Sequence, residues 1–258
     1  MDLYLINLSR RPDRREAMEK QAQTLGLSLT RLDAVDSRDA DAKELTRWFE
    51  ANGPLGVIPK GDQCCFLSHR LAWARLVESG SDYAAVLEDD VRLSARAPVV
   101  LQDAAWIPPG TNLIKLEHYG PASQSVLLSD FKDVGQGFRL GRMRSRHTGG
   151  AAYILSRRAA ELLLQTSRFD LPVDHLLFNP NNSKLFARLQ PWQLLPTVAR
   201  QEQESSSDIE GSRVSLRKFD MTYVKRELVR FGYDLRLLPE QLALLATGKA
   251  KFTRVADV

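Results

Sequence analysis

The stretch Tyr83-Ala84-Ala85-Val86-Leu87-Glu88-Asp89-Asp90-Val91 decides the fold: a short apolar run leads directly into three adjacent carboxylates. A run of this length reads as a buried strand, and the carboxyl end of such a strand is where open α/β sheets place their ligands. If the chain remains extended, side chains alternate, so Glu88 and Asp90 are expected on one face and Asp89 on the other. Hard divalent ions such as Mg²⁺ or Mn²⁺ take carboxylate oxygens and complete their shell with water and substrate phosphates. A solvated acidic turn after a strand would show the same triplet, so its neighbours along the chain have to decide.

Outward from this strand the elements alternate. Leu3 to Leu8 reads as a strand, Arg11-Pro12-Asp13 opens a helix to about Leu25, and Gly26 stops it. Leu29 to Val35 is a second strand, and Asp41 to Glu50 a helix closed by Asn52-Gly53-Pro54. An apolar turn over Gly61 to Leu67 precedes a helix from Ser68 to Ser79, ended by Gly80. Leu113 to Leu116 and Ala151 to Leu155 follow as strands, the latter running into a helix from Ser156 to Thr166 with Ser156 as N-cap. Such alternation predicts an α/β protein with a mostly parallel central sheet flanked by helices.

At 258 residues and 43% hydrophobic content the chain can bury a large core. No apolar run approaches the roughly 20 residues that span a bilayer, and Met1 to Ile6 lacks the basic start of a signal peptide, so cytoplasmic residence is expected. Cys64 and Cys65 are the only cysteines; as neighbours they offer no disulfide framework and read as buried small hydrophobes. The net charge of +4 is uneven, because the chain from Arg213 onward carries ten Lys/Arg against five Asp/Glu. The polar run Gln201 to Ser207 reads as a mobile loop, which divides the chain into a core of residues 1–212 and a basic extension of residues 213–258. Val224 to Leu245 interleaves leucines and aromatics with cations. That pattern fits a solvated helix or a peripheral contact with an anionic membrane, and with no zinc-finger or RNP-like motif it argues against nucleic acid.

Four further clusters carry chemistry. Asn7 at a strand end, with Arg10 and Arg14 (and Arg15) at the following helix start, forms an anion-friendly arrangement, although exposed helix arginines would read alike. Ser68-His69 follows the apolar turn. Asp174-His175 places an acid beside an imidazole after Pro172, the pattern of a general base with an orienting neighbour. Arg142, Arg144 and Arg146 alternate before His147, which in a strand would aim three cations at an anionic substrate.

Taken together these segments resemble glycosyltransferase family 25, the lipooligosaccharide galactosyltransferase-like family. The resemblance is carried by Tyr4-Leu5-Ile6-Asn7-Leu8 with Arg10 and Arg14, Cys65-Phe66-Leu67-Ser68-His69 with Trp73, and Val86-Leu87-Glu88-Asp89-Asp90-Val91. It continues through Lys115-Leu116, Gly149 to Ser156, Pro172-Val173-Asp174-His175 and Ser207-Asp208-Ile209, in that order, over roughly residues 2–212. The chain departs from the family pattern at Asp62-Gln63-Cys64, where Glu-Ile-Gly is usual.

Such a family implies a GT-A-type nucleotide-diphosphosugar transferase fold, a divalent ion held by an acidic motif, and transfer with inversion. It implies a β-galactosyltransferase that moves galactose from UDP-galactose onto a bacterial lipopolysaccharide or lipooligosaccharide acceptor. By the same resemblance Mn²⁺ or Mg²⁺ would be held by Asp90, by Glu88 (or Glu88 would take the donor ribose) and by Asp208. The donor would be bound by Asn7, Arg10, Arg14, Ser68, His69, Glu88 and Asp89, and the acceptor by Arg142, Arg144 and Arg146. Asp174 is the expected base, with His175 either orienting it or reaching the metal. The alternative is a non-catalytic protein of the same fold that binds a nucleotide sugar or a glycan.

Overall fold

The computed structural model describes residues 1–118, 124–202 and 221–255. In chain order the elements are β1 (Asp2–Asn7), α1 (Pro12–Thr24), β2 (Thr30–Asp33), α2 (Ala42–Trp48), α3 (Lys60–Ser79), β3 (Tyr83–Glu88), β4 (Val91–Leu93) and α4 (Ala97–Leu101). Strands β5 (Leu113–Lys115), β6 (Glu117–His118), β7 (Ser125–Gly135), β8 (Phe138–Met143) and β9 (Ala152–Ser156) come next. Then follow α5 (Arg157–Leu164), α6 (Val173–Phe178), α7 (Phe186–Leu189), β10 (Trp192–Leu195), β11 (Ala199–Gln201), α8 (Met221–Ala246) and β12 (Ala250–Arg254).

Strand β3 is apolar throughout because both its faces are covered. It lies between β1, with which it is parallel, and β9, with which it is antiparallel. Val86 packs with Tyr4, Ile6 and Tyr153 in the core layer that includes Phe66 and Trp73 of α3. Ala85 and Leu87 point the other way, into a second layer with Leu3, Leu5 and the α1 residues Met18 and Ala22. A strand buried on both faces reads as a continuous apolar run instead of an alternating one.

The main sheet has nine strands in the order β12-β7-β8-β10-β5-β9-β3-β1-β2, and β4-β11-β6 form a small second sheet. This is an α/β protein with a large central sheet flanked by helices, in agreement with the GT-A-type expectation. The sheet is mixed, not mostly parallel: only β2-β1-β3 and the β10-β5 pair run parallel. The difference comes from β9, which enters antiparallel between β5 and β3, and from the β7-β8 hairpin, turned at Gly135, Gln136 and Gly137 with φ of 84°, 54° and 75°, which adds further antiparallel partners. Two residues joining two strands favour this antiparallel return.

Helix α3 begins at Lys60, so the stretch Gly61 to Leu67, expected as a turn, is helical. Its buried positions Asp62, Phe66, His69, Trp73 and Leu76 recur every three or four residues, so one buried face runs from the first turn to the last. Gly80 ends the helix in the left-handed conformation at φ 74°, and Ser156 caps α5 by accepting the Ala159 N–H. Within the segment read as the basic extension, β12 pairs with β7 and forms the sheet edge. Helix α8 is tied to the sheet through Arg144: its guanidinium lies 3.4 Å from Glu240, and its carbonyl accepts from the Gln241 amide at 2.7 Å. Among the described residues no helix is long and apolar enough to cross a membrane.

Candidate active site

Three parallel strands end on one edge of the sheet, and that edge is the floor of a cavity. The registers set Ile6 opposite Glu88 and Asn7 opposite Asp33, so β1, β2 and β3 stop nearly level. Because β9 runs antiparallel to β3, with Ala152 opposite Leu87, the Gly149-Gly150-Ala151 segment entering β9 lies beside Glu88, whose N–H donates to the Ala151 carbonyl at 2.8 Å. The start of α3 and the Pro172-Val173-Asp174 entry to α6 close the remaining sides of a cavity of about 200 Å³. Its wall includes Arg10, Arg14, Cys65, Glu88, Asp89, Asp90, Asp174 and Gln201.

Strict alternation across the acidic triplet does not hold. Strand β3 stops at Glu88, and Asp89 and Asp90 turn the chain into β4, so all three carboxylates line the same cavity. Asp89 is held by the Asn7 amide at 2.7 Å and by Arg14 at 3.2 Å. Asp90 Oδ2 accepts from the Gln201 amide at 3.0 Å, whereas its buried Oδ1 has no hydrogen-bond partner. Burial, with the charge of Glu88 next, pushes the Asp90 pKa up to about 7. Leaving such a buried oxygen unsatisfied costs about 1–3 kcal/mol, and a divalent cation would remove that penalty. Arg14 lies 3.9 Å from Asp90 Oδ2 and leaves Oδ1 without a hydrogen bond; carboxylate oxygens are the donor set Mg²⁺ or Mn²⁺ takes, so Asp90 and Glu88 fit the expected ion.

A buried relay holds Glu88 from behind. The Trp73 indole N–H donates to the Tyr153 hydroxyl at 2.8 Å, Tyr153 meets His69 Nδ1 at 2.9 Å, and His69 Nε2 meets Glu88 Oε1 at 2.9 Å. Trp73 can only donate, so the Tyr153 proton is available to His69 Nδ1, which leaves Nε2–H to donate to the carboxylate. His69 is fully buried behind the wall and orients Glu88; it does not face the cavity.

Asp174 sits across the cavity in the first turn of α6, where its Oδ2 accepts the Gly149 N–H at 3.3 Å. The Gly149 segment is itself pinned from below. Lys115 and Glu117 are both fully buried and paired at 2.8 Å; Lys115 also donates to the Gly149 carbonyl, and Glu117 accepts the Ala151 N–H at 2.8 Å. Burial pushes the Glu117 pKa up and the Lys115 pKa down, each opposed by the partner's charge. An i, i+2 pair of opposite charges, Lys115 and Glu117, in the otherwise apolar Leu113 to Glu117 stretch was the available signal for this support. Gln201, expected in a mobile loop, instead closes β11 and reaches Asp90, and nothing local in the sequence marks that role.

Other expected site residues lie elsewhere. Asn7 is buried below the cavity with both amide hydrogens and its oxygen engaged, by Arg11, Asp89 and Arg31, so it positions Asp89 and does not line the wall. Ser68 does line it, with its hydroxyl held between the Cys64 carbonyl and the Val35 N–H. Arg10 and Arg14 line it too, paired with Asp36 at 2.6 Å and Asp89 at 3.2 Å. His175 is not part of the wall, and its Nδ1 meets the Asn179 amide at 2.8 Å. Arg142, Arg144 and Arg146 do not reach the cavity: β8 ends at Met143, which breaks their alternation, and Arg144 binds Ser129, Asp130 and Glu240. Asp208 lies outside the described residues.

An α/β sheet with its ligand crevice at the carboxyl ends of parallel strands, walled by carboxylates and arginines, defines the class. Residues 1–177 match glycosyltransferase family 25 (LPS biosynthesis protein), and the chain belongs to that family. It is 29% identical over 222 residues to the "Lacto-N-neotetraose biosynthesis glycosyltransferase LgtB" of Neisseria meningitidis serogroup A, covering 78% of this chain and 75% of the relative. Similarity to the "Lipooligosaccharide biosynthesis protein lic2B" of Haemophilus influenzae is 26% over 216 residues, covering 77% and 75%. The chain is also 28% identical, over 68% of its length and 31% of the relative's, to a "Probable inactive glycosyltransferase 25 family member 3" of Bos taurus.

Proposed function

We propose that the protein is an inverting, metal-dependent hexosyltransferase that moves galactose from UDP-galactose onto a lipopolysaccharide or lipooligosaccharide acceptor. The observation that carries this reading is the partnerless Oδ1 of Asp90, at a cavity where Glu88 and Asp89 converge and Asp174 faces them. The relatives' names, which speak of lacto-N-neotetraose and lipooligosaccharide biosynthesis, support a glycolipid acceptor.

A Mn²⁺ or Mg²⁺ ion bound by Asp90 and Glu88 would supply positive charge to the leaving diphosphate. The chain's own groups do the rest. Arg10 and Arg14 contribute fixed positive charge at the cavity wall, where a diphosphate is drawn. His69 keeps one oxygen of Glu88 occupied and so sets the direction of the carboxylate. Gly149 holds Asp174, which removes the proton from the acceptor hydroxyl as that oxygen attacks the anomeric carbon. Attack from the face opposite the leaving group inverts that centre.

A panel of sugar nucleotides, assayed for metal-dependent hydrolysis without acceptor, tests the donor assignment. UDP-galactose is expected to be hydrolysed at least about 10-fold faster than UDP-glucose or GDP-sugars; an equal or opposite ranking rejects galactose. The second reading, a binding protein without turnover, is favoured by the similarity to a probable inactive relative. It predicts UDP binding with no hydrolysis of any donor in the panel.

A cytoplasmic protein working on a lipid-linked acceptor would meet the inner face of an anionic membrane. Leu235, Leu238 and Leu242 of α8 are exposed by 46%, 42% and 54% at i, i+3 and i+7, beside Arg236, which supports contact of this helix with such a surface. Arg226 and Arg230, with Tyr223, Phe231 and Tyr233, belong to the same helix, and their side chains lie outside the described residues. Each cation near an anionic surface contributes about 1 kcal/mol. The double variant Arg226→Glu/Arg230→Glu is therefore expected to lower partition onto phosphatidylglycerol-containing vesicles by about 10-fold or more at low salt. Absence of vesicle binding by the unaltered protein at low salt rejects the membrane contact.

A further inference from the structure

We infer that the chain carries a second, soft metal site at the inner wall of the same cavity, formed by Cys65 Sγ and Glu88 Oε1 of the wall and by His69 Nε2 just behind it, and that it takes Zn²⁺. These three ligand atoms all lie within 4.8 Å of one another. His69 Nε2 is 2.9 Å and Cys65 Sγ 3.7 Å from the same Glu88 oxygen. A tetrahedral zinc with bonds of about 2.0 Å to nitrogen and oxygen and about 2.3 Å to sulfur requires ligand atoms roughly 3.3–3.5 Å apart. The two spacings to Glu88 need shifts of a few tenths of an ångström, and the sulfur–nitrogen spacing, up to 4.8 Å, must close by about 1.3 Å, which a rotation of the Cys65 side chain has to supply.

Three features make this a built site. Cys65 and His69 are one helical turn apart on α3, so the rigid backbone holds both on the face toward Glu88. The imidazole is oriented from behind by Tyr153, which is itself fixed by Trp73, the arrangement that metal-binding histidines use. Cys65 and Glu88 both line the cavity, which gives an ion an entry path and leaves its fourth position open to water or substrate. On binding, the His69 proton moves from Nε2 to Nδ1, the Tyr153 hydroxyl changes from donor to acceptor toward that nitrogen, and the Cys65 proton is released to solvent.

Donor chemistry separates this site from the one assigned to Mn²⁺ or Mg²⁺. A thiolate and an imidazole select zinc-like ions, while the all-oxygen environment of Asp90 selects hard ones. Glu88 belongs to both, so zinc would engage an oxygen donor that the Mn²⁺ site also uses. The inference rests on the proposed transferase reading only for that consequence, and zinc binding itself is tested without turnover.

The experiment measures the alkylation rate of Cys65, read by peptide mapping on the full chain, with and without buffered Zn²⁺, and the near-ultraviolet thiolate-to-cobalt absorption band when Co²⁺ is added. Zn²⁺ is expected to slow Cys65 alkylation at least about 10-fold, Mn²⁺ to leave it unchanged, and the cobalt band to vanish in Cys65→Ser and in His69→Gln. Unchanged alkylation with Zn²⁺, or zinc affinity that survives in Cys65→Ser but is lost in Asp90→Asn, overturns the inference. Cys65 is only half-buried, so Cys65→Ser keeps the test decisive if His69→Gln does not fold. Loss of Mn²⁺-dependent UDP binding in Asp90→Asn bears on the transferase reading alone, and the two can fail separately.

Discussion

Asp174→Asn is expected to lower kcat by about 10²-fold or more while UDP and metal affinity stay within about twofold of the unaltered protein. The carboxylate lines the cavity opposite the acidic triplet, and its Oδ2 accepts only a long 3.3 Å bond from the Gly149 N–H. An amide oxygen can keep that bond, so the fold and the Gly149 segment are preserved, but an amide takes no proton at neutral pH. The measurement is donor hydrolysis or transfer under saturating UDP-sugar, with calorimetry of UDP as the control. Near-normal turnover would mean that another group accepts the proton.

The second large effect belongs to Asp90. Mn²⁺ should tighten UDP binding, and Asp90→Asn should abolish that gain; equal UDP affinity with and without Mn²⁺ in the unaltered protein would sink the metal assignment. Because the Asp90 pKa is pushed up to about 7 by burial and by Glu88, a proton competes with the metal. Metal-dependent affinity should therefore fall as pH drops below about 7 and level off above it.

Stability should move the opposite way. The unfolded chain releases this proton near the ordinary aspartate value, well below the folded group, so the metal-free fold loses stability as pH rises from there to about 7. Asparagine removes the burial of charge, and for a chain of this size each kcal/mol moves Tm by about 2–4 °C. Metal-free Asp90→Asn is expected to melt about 3 °C or more above the unaltered protein at pH 8, with the gain shrinking as pH falls. A lower Tm at pH 8 would show that Asp90 stabilises the metal-free fold. A residue that weakens the fold and strengthens the site is common where function requires a buried charge.

Local chemistry carried much of this in advance. The apolar run into Glu88-Asp89-Asp90, the strand ending at Asn7, the glycine stops at Gly26 and Gly80 and the Ser156 cap depend on contacts within a few residues, and they appear where the chain predicts them. Asp174 and the acidic triplet were legible as candidates only together with their neighbours along the chain, because a solvated turn or a helix start favours carboxylates on its own account. By contrast, the register of β1, β3 and β9, the mixed order of the sheet and the joining of β12 to β7 depend on pairings distant in sequence. No local preference encodes a strand partner that lies well outside its own stretch of chain, as Ala152 does for Leu87 or Ser129 for Ala250.

Tertiary structure also reassigned the polar residues. Asn7 and His69 read as ligand contacts and are instead satisfied behind the wall, because a polar side chain at a buried strand end or on a buried helix face must find its hydrogen bonds inside the protein. Arg144 read as an acceptor contact and instead holds α8. Lys115, Glu117, Tyr153 and Gln201 acquired their roles only when the sheet brought them beneath or beside the cavity. The sequence by itself determined the chemistry that is available, the carboxylates, the arginines and the family to which they belong. Which of those groups face a ligand and which support the ones that do was decided by burial and strand pairing, since desolvation compels every buried polar group to choose a partner.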